Sequence, residues 1–120
     1  MKKLLIVDDQ ALYLKSLELA LKKRYEVLTA SNFQDALVVL GGEVDLALLD
    51  IRLDENDRSN TDGIKILEWI RMNRPETPVF VMSAYSEFSY AEQALNLGAK
   101  HFFKKPIDIL TLIALLEEKS

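Results

Sequence analysis

The sequence predicts an α/β domain: a doubly wound, five-stranded parallel sheet with helices on both faces. Three observations carry this. Short apolar runs alternate with stretches of helical periodicity five times along the chain. The first run, Leu4–Val7, is apolar throughout, as expected of a strand covered on both faces. No linker, repeat or low-complexity segment interrupts the alternation, which implies right-handed crossovers between parallel strands.

The elements follow in order. After the Leu4–Val7 strand, Ala11 to about Lys23 reads as a helix with Leu14, Leu17, Ala20 and Leu21 on one face. Tyr25–Thr29 is a second strand. Ser31 opens "SNFQ", a capping box with Ser31 at N-cap and Gln34 at N3. That helix runs to about Leu40 and stops at Gly41-Gly42. Val44–Leu49 is a third strand ending on Asp50. A polar stretch, "RLDENDRSNTDG", leads to a helix over Ile64–Met72. Pro75 and Pro78 bracket a turn, and Pro78–Met82 is a fourth strand ending at Ser83. Phe88–Leu97 is a helix closed by Gly98 as its C-terminal cap. His101–Phe103 is a short fifth strand, Lys105-Pro106 a turn, and Ile107 to about Glu117 the last helix.

The bulk properties narrow the function. At 120 residues, about half of them hydrophobic, the chain suits one domain, residues 1–120, with a single core. It has no cysteine, which excludes disulfides, thiolate zinc sites and a cysteine nucleophile. One histidine cannot build a multi-histidine metal site. The net charge of −4 and the lack of a basic stretch argue against direct nucleic-acid binding. "MKKLLIV" mimics the start of a signal peptide, but its apolar run is too short and ends in Asp8-Asp9. No segment approaches the roughly 20 apolar residues of a membrane helix. The expectation is a cytoplasmic domain with no membrane partner.

Ligands of open α/β sheets bind outside the carboxyl ends of the strands, so the polar residues there are the informative ones. Strand one ends at Asp8 and Asp9, strand three at Asp50, strand four at Ser83, and strand five runs into Lys104-Lys105-Pro106. Two unit charges about 4 Å apart repel by roughly 4 kcal/mol at an effective dielectric of 20. Carboxylates gathered at one rim therefore keep a proton or hold a cation. An oxygen-only donor set with an open half-shell suits Mg²⁺. The alternative is that Asp8 is the N-cap of the first helix, with Asp9 in its first turn.

Four motifs, "LLIVDDQ", "DLALLDIRL" with "TDG" downstream, "TPVFVMSAYS" and "GAKHFFKKP", occur in register along the whole chain. Together they resemble two-component response-regulator receiver domains. The resemblance implies a flavodoxin-like sheet of strand order 2-1-3-4-5. It implies Asp50 as phosphoryl acceptor, and Asp8, Asp9 and Asp50 with the backbone carbonyl of Arg52 as Mg²⁺ ligands. Asp9 would be the more direct ligand, with Asp8 acting partly through water. Ser83 and Lys105 would bind phosphoryl oxygens, the Lys105–Pro106 peptide would be cis, and Ser83 with Phe102 would form the switch. Phe102 is an aromatic without the hydroxyl often found there. Lys104 is expected to face solvent, Trp69 to be a surface-spanning amphipathic residue, and His101 to have no phosphoryl role.

The implied partners are a sensor histidine kinase and an output domain or downstream protein, with a phosphorylation-dependent homodimer as a further state. The implied mechanism is a switch of the surface formed by helix four, strand five and helix five. The domain would catalyse only its own phosphorylation and dephosphorylation, so it is not read as an enzyme on other substrates. A phosphorylation-independent interaction module and a Mg²⁺-dependent phosphatase are the competing readings. Against the phosphatase, its usual D-x-D is absent and 120 residues leave no room for a cap domain. The chain ends at "EEKS", just past the last helix, and is read as a receiver excised from a longer protein.

One region departs from the family pattern. Leu53-Asp54 stands where a proline is usual, and Asp62-Gly63 comes late, so the loop Leu53–Asp62 is extended. Its acidic string lacks the glycine placement of a calcium loop. It is expected to be an exposed polar loop that shields the acyl phosphate or recruits a partner. Arg52 and Tyr85, two residues beyond Asp50 and Ser83, are expected to tune phosphoryl lifetime by hindering water.

Overall fold

The computed structural model describes residues 1–84 and 88–120. Five strands, β1 (Lys3–Val7), β2 (Glu26–Ala30), β3 (Leu46–Asp50), β4 (Val79–Ser83) and β5 (Phe102–Lys104), alternate with five helices. These are α1 (Ala11–Leu21), α2 (Phe33–Leu40), α3 (Asp62–Asn73), α4 (Phe88–Asn96) and α5 (Ile109–Lys119). The strands form one parallel sheet in the order β2-β1-β3-β4-β5.

Period-two alternation divides the sheet residues between two cores. Leu5, Val7, Ala47, Leu49, Val79 and Val81 pack with α2, α3 and Ala94 of α4. Leu4, Ile6, Leu46, Leu48, Phe80, Met82 and Phe103 pack with α1 and α5. This explains why β1, β3 and β4 are apolar at nearly every position: both faces are covered.

Most boundaries shift by one or two residues from expectation, within ordinary end fraying. Two differences have local causes. The N-cap of α2 is Asn32, not Ser31: its side chain accepts from the Asp35 N–H at 2.8 Å. Nor is Asp8 the N-cap of α1. That position is Gln10, the helix starts at Ala11, and its first turn holds no acidic residue. The Asp8 N–H instead continues the sheet, donating to the Ala30 carbonyl at 3.1 Å. Asp8 and Asp9 are thus left at the rim, released from any capping duty.

Two glycines are fixed by geometry. Gly98 closes α4 at φ +96°, a conformation that glycine adopts without strain. Gly63, in the first turn of α3, lies against the end of β3: a Cβ there would collide with the Asp50 carbonyl oxygen. The Gly63 N–H donates to the Ile51 carbonyl at 2.9 Å, so the "DG" pair docks α3 onto the strand that carries Asp50.

Candidate functional site

Register brings the site together. Val7 pairs with Leu49, which sets Asp8 level with Asp50 on the neighbouring strand. Asp50 pairs with Met82, and Ser83 with Lys104. Parity then sorts the side chains. Asp8 and Asp50 continue the Leu4–Ile6 and Leu46–Leu48 series, facing α1 and α5. Lys105 continues from Phe103 on that same side, whereas Lys104 is exposed. Ser83 follows Val79 and Val81 on the opposite side, as does Phe102, which is half-buried against that core.

The charges meet where parity places them. Lys105 Nζ donates to Asp8 Oδ2 at 2.8 Å and to Asp50 Oδ2 at 3.3 Å. All three residues are buried, with relative exposures of 8%, 0% and 4% respectively. Carboxylate oxygens of Asp8, Asp9 and Asp50 all lie within 4.8 Å of one another. Ser83 and Arg52 are buried at the same rim. The backbone reinforces it: the Ile51 N–H donates to the Met82 carbonyl, and the Lys105 N–H to the Ser83 carbonyl. The Lys105–Pro106 peptide is cis.

Lys105 is bonded to two of the three carboxylates, and its charge does not offset their burial and mutual repulsion at Asp50. Burial, and then the neighbouring Asp8, push the Asp50 carboxyl up to about 7 despite Lys105. Burial also raises Asp9, opposed by the Glu55 N–H. For Lys105, burial favours loss of its proton, but the Asp8 hydrogen bond and the Asp50 charge outweigh it and the net shift is upward. An anionic, oxygen-only, partly open pocket of this kind suits a hard divalent cation.

The lysine has a neutral cradle as well. Its Nζ sits 4.7 Å from the centroid of the Tyr13 ring, and Gln10 Oε1 accepts from it at 3.2 Å. The Tyr13 hydroxyl in turn accepts from the Ile107 N–H at 2.9 Å, tying α1 to the segment after Pro106. Sequence reasoning missed Gln10 and Tyr13. The signal was available: Tyr13 is the lone aromatic of α1, on the face turned to the sheet. Arg52, expected as a bulky rim residue, is buried; the hydroxyl and N–H of Ser59, with a smaller contribution from the Arg52 charge, hold Asp57 below the usual carboxylate range. Tyr85 lies outside the described residues.

His101 packs against Phe103 with ring centroids 4.6 Å apart and the planes tilted by 55°, and burial followed by Lys119 lowers its pKa. Trp69 is half-buried against the first core.

The extended loop is ordered by its own side chains. Asp54 Oδ1 accepts from the Asn56 N–H, and Asp57 Oδ1 from the N–H and hydroxyl of Ser59. Asn60 Oδ1 accepts from both the Leu53 and Asp62 N–H groups, each at 3.0 Å. The Asp54–Asn56, Asp57–Ser59 and Asn60–Asp62 bonds are the Asx turns that Asp and Asn favour, and the Asn60–Leu53 bond closes the loop across seven residues. From this loop the Glu55 N–H reaches Asp9 Oδ2 at 3.2 Å.

Fold and site therefore define a doubly wound domain whose rim gathers three carboxylates that could hold a cation, two of them bonded to one lysine. The chain belongs to the response regulator receiver domain family, whose model matches residues 4–117. It is 34% identical to the response regulator protein PilR of Pseudomonas aeruginosa over 110 residues, 90% of this chain and 24% of that protein. It thus spans about a quarter of that relative's length. Among solved structures it resembles a CheY-like receiver domain protein from Methanospirillum hungatei, with TM-score 0.88 and 30% identity, covering 99% of this chain and 93% of that one. A Burkholderia pseudomallei response regulator, solved with a phosphorylated aspartic acid, a calcium ion and citrate, matches with TM-score 0.84 and 27% identity, covering 97% of this chain and 66% of that one. The family assignment gives the domain a phosphoacceptor role in signalling.

Proposed function

We propose that Asp50 is the acceptor, taking a phosphoryl group from a phosphohistidine on a sensor histidine kinase in a Mg²⁺-dependent reaction. The observation that carries this is the convergence of three carboxylates within 4.8 Å, with Lys105 Nζ bonded to two of them. An Asp50 carboxylate oxygen attacks phosphorus, the phosphorus–nitrogen bond breaks, and the imidazole leaves with a proton. Mg²⁺, when held by Asp8, Asp9, Asp50 and the Arg52 carbonyl, supplies positive charge for the phosphoryl oxygens. Lys105, already poised between Asp8 and Asp50, offers its ammonium to another oxygen, and the Ser83 hydroxyl donates to a third.

The downstream reading is a conformational switch. Ser83 and Phe102 lie on the same face of the sheet, so a hydroxyl drawn toward the phosphoryl group leaves room for Phe102 to repack. The surface of α4, β5 and α5 then changes for an output domain, a downstream protein or a second phosphorylated copy. Residues 1–120 act as one receiver domain, in the cytoplasm, and the chemistry is confined to the domain's own carboxylate.

The test is intact-mass spectrometry after incubation with acetyl phosphate and Mg²⁺. One phosphoryl group is expected on the wild-type chain and none on Asp50→Asn. Equal uptake by both, or none by either, contradicts the assignment of Asp50.

A further inference from the structure

Gln10 occupies a position that the phosphoryl chemistry does not require. Its N–H donates to Asp8 Oδ1 at 2.8 Å, which fixes its backbone at the rim. Its side chain then points two ways: Oε1 accepts from Lys105 Nζ at 3.2 Å, and Nε2 donates to Glu55 Oε2 at 2.9 Å. The amide can face only this way round, because an ammonium offers donors alone and a carboxylate acceptors alone. Glu55 closes the circuit, its own N–H donating to Asp9 Oδ2 at 3.2 Å. Glu55 is exposed and belongs to the extended loop, so nothing in the core obliges it to lie there. Gln10 and Tyr13 also form the shared wall of two surface hollows. One, of about 640 Å³, is lined with Asp9, Leu12 and Glu55; the other, of about 210 Å³, with Ala84, Lys105 and Pro106.

The geometry points to a latch: Gln10 and Glu55 hold the β3–α3 loop across the mouth of the acidic site, and Gln10 couples that loop to Lys105. Gln10 is a positioning residue, acting through Lys105 and Glu55. Losing the Gln10 side chain removes both the anchor of Glu55 and one of the three oxygen partners described for the ammonium, and leaves Tyr13 as the remaining residue shared by the two hollows. The consequence for phosphoryl lifetime rests on the reading of Asp50 as acceptor. Hydrolysis needs a water to attack phosphorus, breaking its bond to the Asp50 oxygen and releasing inorganic phosphate and a proton to solvent. A closed latch keeps that water out.

Two measurements test this. The first is the solvent-exchange rate of the Glu55 amide proton, read by NMR on metal-free protein, and it needs no phosphorylation. A net hydrogen bond of ~1 kcal/mol corresponds to about fivefold in an equilibrium. Gln10→Ala and Glu55→Ala are each expected to speed exchange at residue 55 about fivefold, and the double variant no further, because both break one latch. Glu55→Gln, whose amide oxygen still accepts from Gln10, is expected to exchange like wild type. Unchanged exchange in Gln10→Ala, additive effects in the double variant, or Glu55→Gln behaving like Glu55→Ala would overturn the latch. The second measurement is decay of the aspartyl phosphate, expected to be about threefold or more faster in Gln10→Ala and Glu55→Ala and unchanged in Glu55→Gln; unaltered decay in all three overturns the role in lifetime. Should the wild-type chain take up no phosphoryl group, the acceptor assignment fails, and the exchange measurement still decides whether the latch exists.

Discussion

The two halves of the acidic rim are built on opposite principles. On one side Asp8, Asp50 and Lys105 are buried and locked by direct ion pairs. On the other, Asp9 is half-buried and its visible partner is a loop N–H from exposed Glu55. The charges of the buried half are largely withdrawn from solvent, so its geometry is set by the sheet and costs stability when disturbed. The open half gains little from its contacts and can exchange them. The contrast teaches that this pocket holds Asp50 in a fixed buried pairing and leaves its entrance adjustable.

Breaking the buried half should have the largest effect. Lys105→Met leaves two buried carboxylates uncompensated, and the metal-free protein is expected to lose about 3–5 kcal/mol in urea unfolding at neutral pH. Saturating Mg²⁺ should restore part of the loss. Stability equal to wild type at pH 7 would mean the lysine does not balance these charges.

Next comes the pH dependence of Asp50. Its carboxyl is raised in the folded state to about 7, by burial and then by Asp8. A raised carboxyl imposes no cost at a pH below its unfolded value near ~4, and the cost grows as pH climbs toward the folded value. Asp50→Asn removes it. The variant should match wild type in metal-free buffer near pH 4, gain progressively up to about pH 7, and then level off about 2–4 kcal/mol more stable. A flat difference across that range, or an advantage that shrinks as pH rises, would contradict the charge balance described for the buried half.

The sequence disclosed most of this contrast. Apolar strands ending in Asp8, Asp9 and Asp50 pointed to the rim; the resemblance to receiver domains picked Lys105, next to Pro106, over Lys104, and the burial of Lys105 on the Phe103 side agrees with that choice. Boundary slips came where flanking residues compete for the same role, as Ser31 and Asn32 do for the α2 cap. The Gln10–Glu55 contact was not legible, because it joins residues 45 positions apart through a loop whose path depends on its own Asx turns. Nor was the burial of Arg52, since arginines are seldom so enclosed and nothing in the local pattern marks this one.

The smallest effect belongs to the open half. Asn60→Ala frees the Leu53 and Asp62 N–H groups from their shared acceptor. A loss of about 1 kcal/mol is expected in thermal unfolding, since both donors are only part-buried and water replaces the bond. A loss as large as that of Lys105→Met would erase the distinction between the two halves.

The central claim is that acid groups from β1 and β3 gather at one rim to hold a divalent cation opposite Lys105. Calorimetric titration of the wild-type chain and of Asp9→Asn with Mg²⁺ tests it most directly. One ion should bind the wild-type chain, and Asp9→Asn, folded as stably as its parent, should bind about tenfold or more weakly. Titration curves that show no uptake by the wild-type chain, or that superimpose for the two proteins, would contradict it.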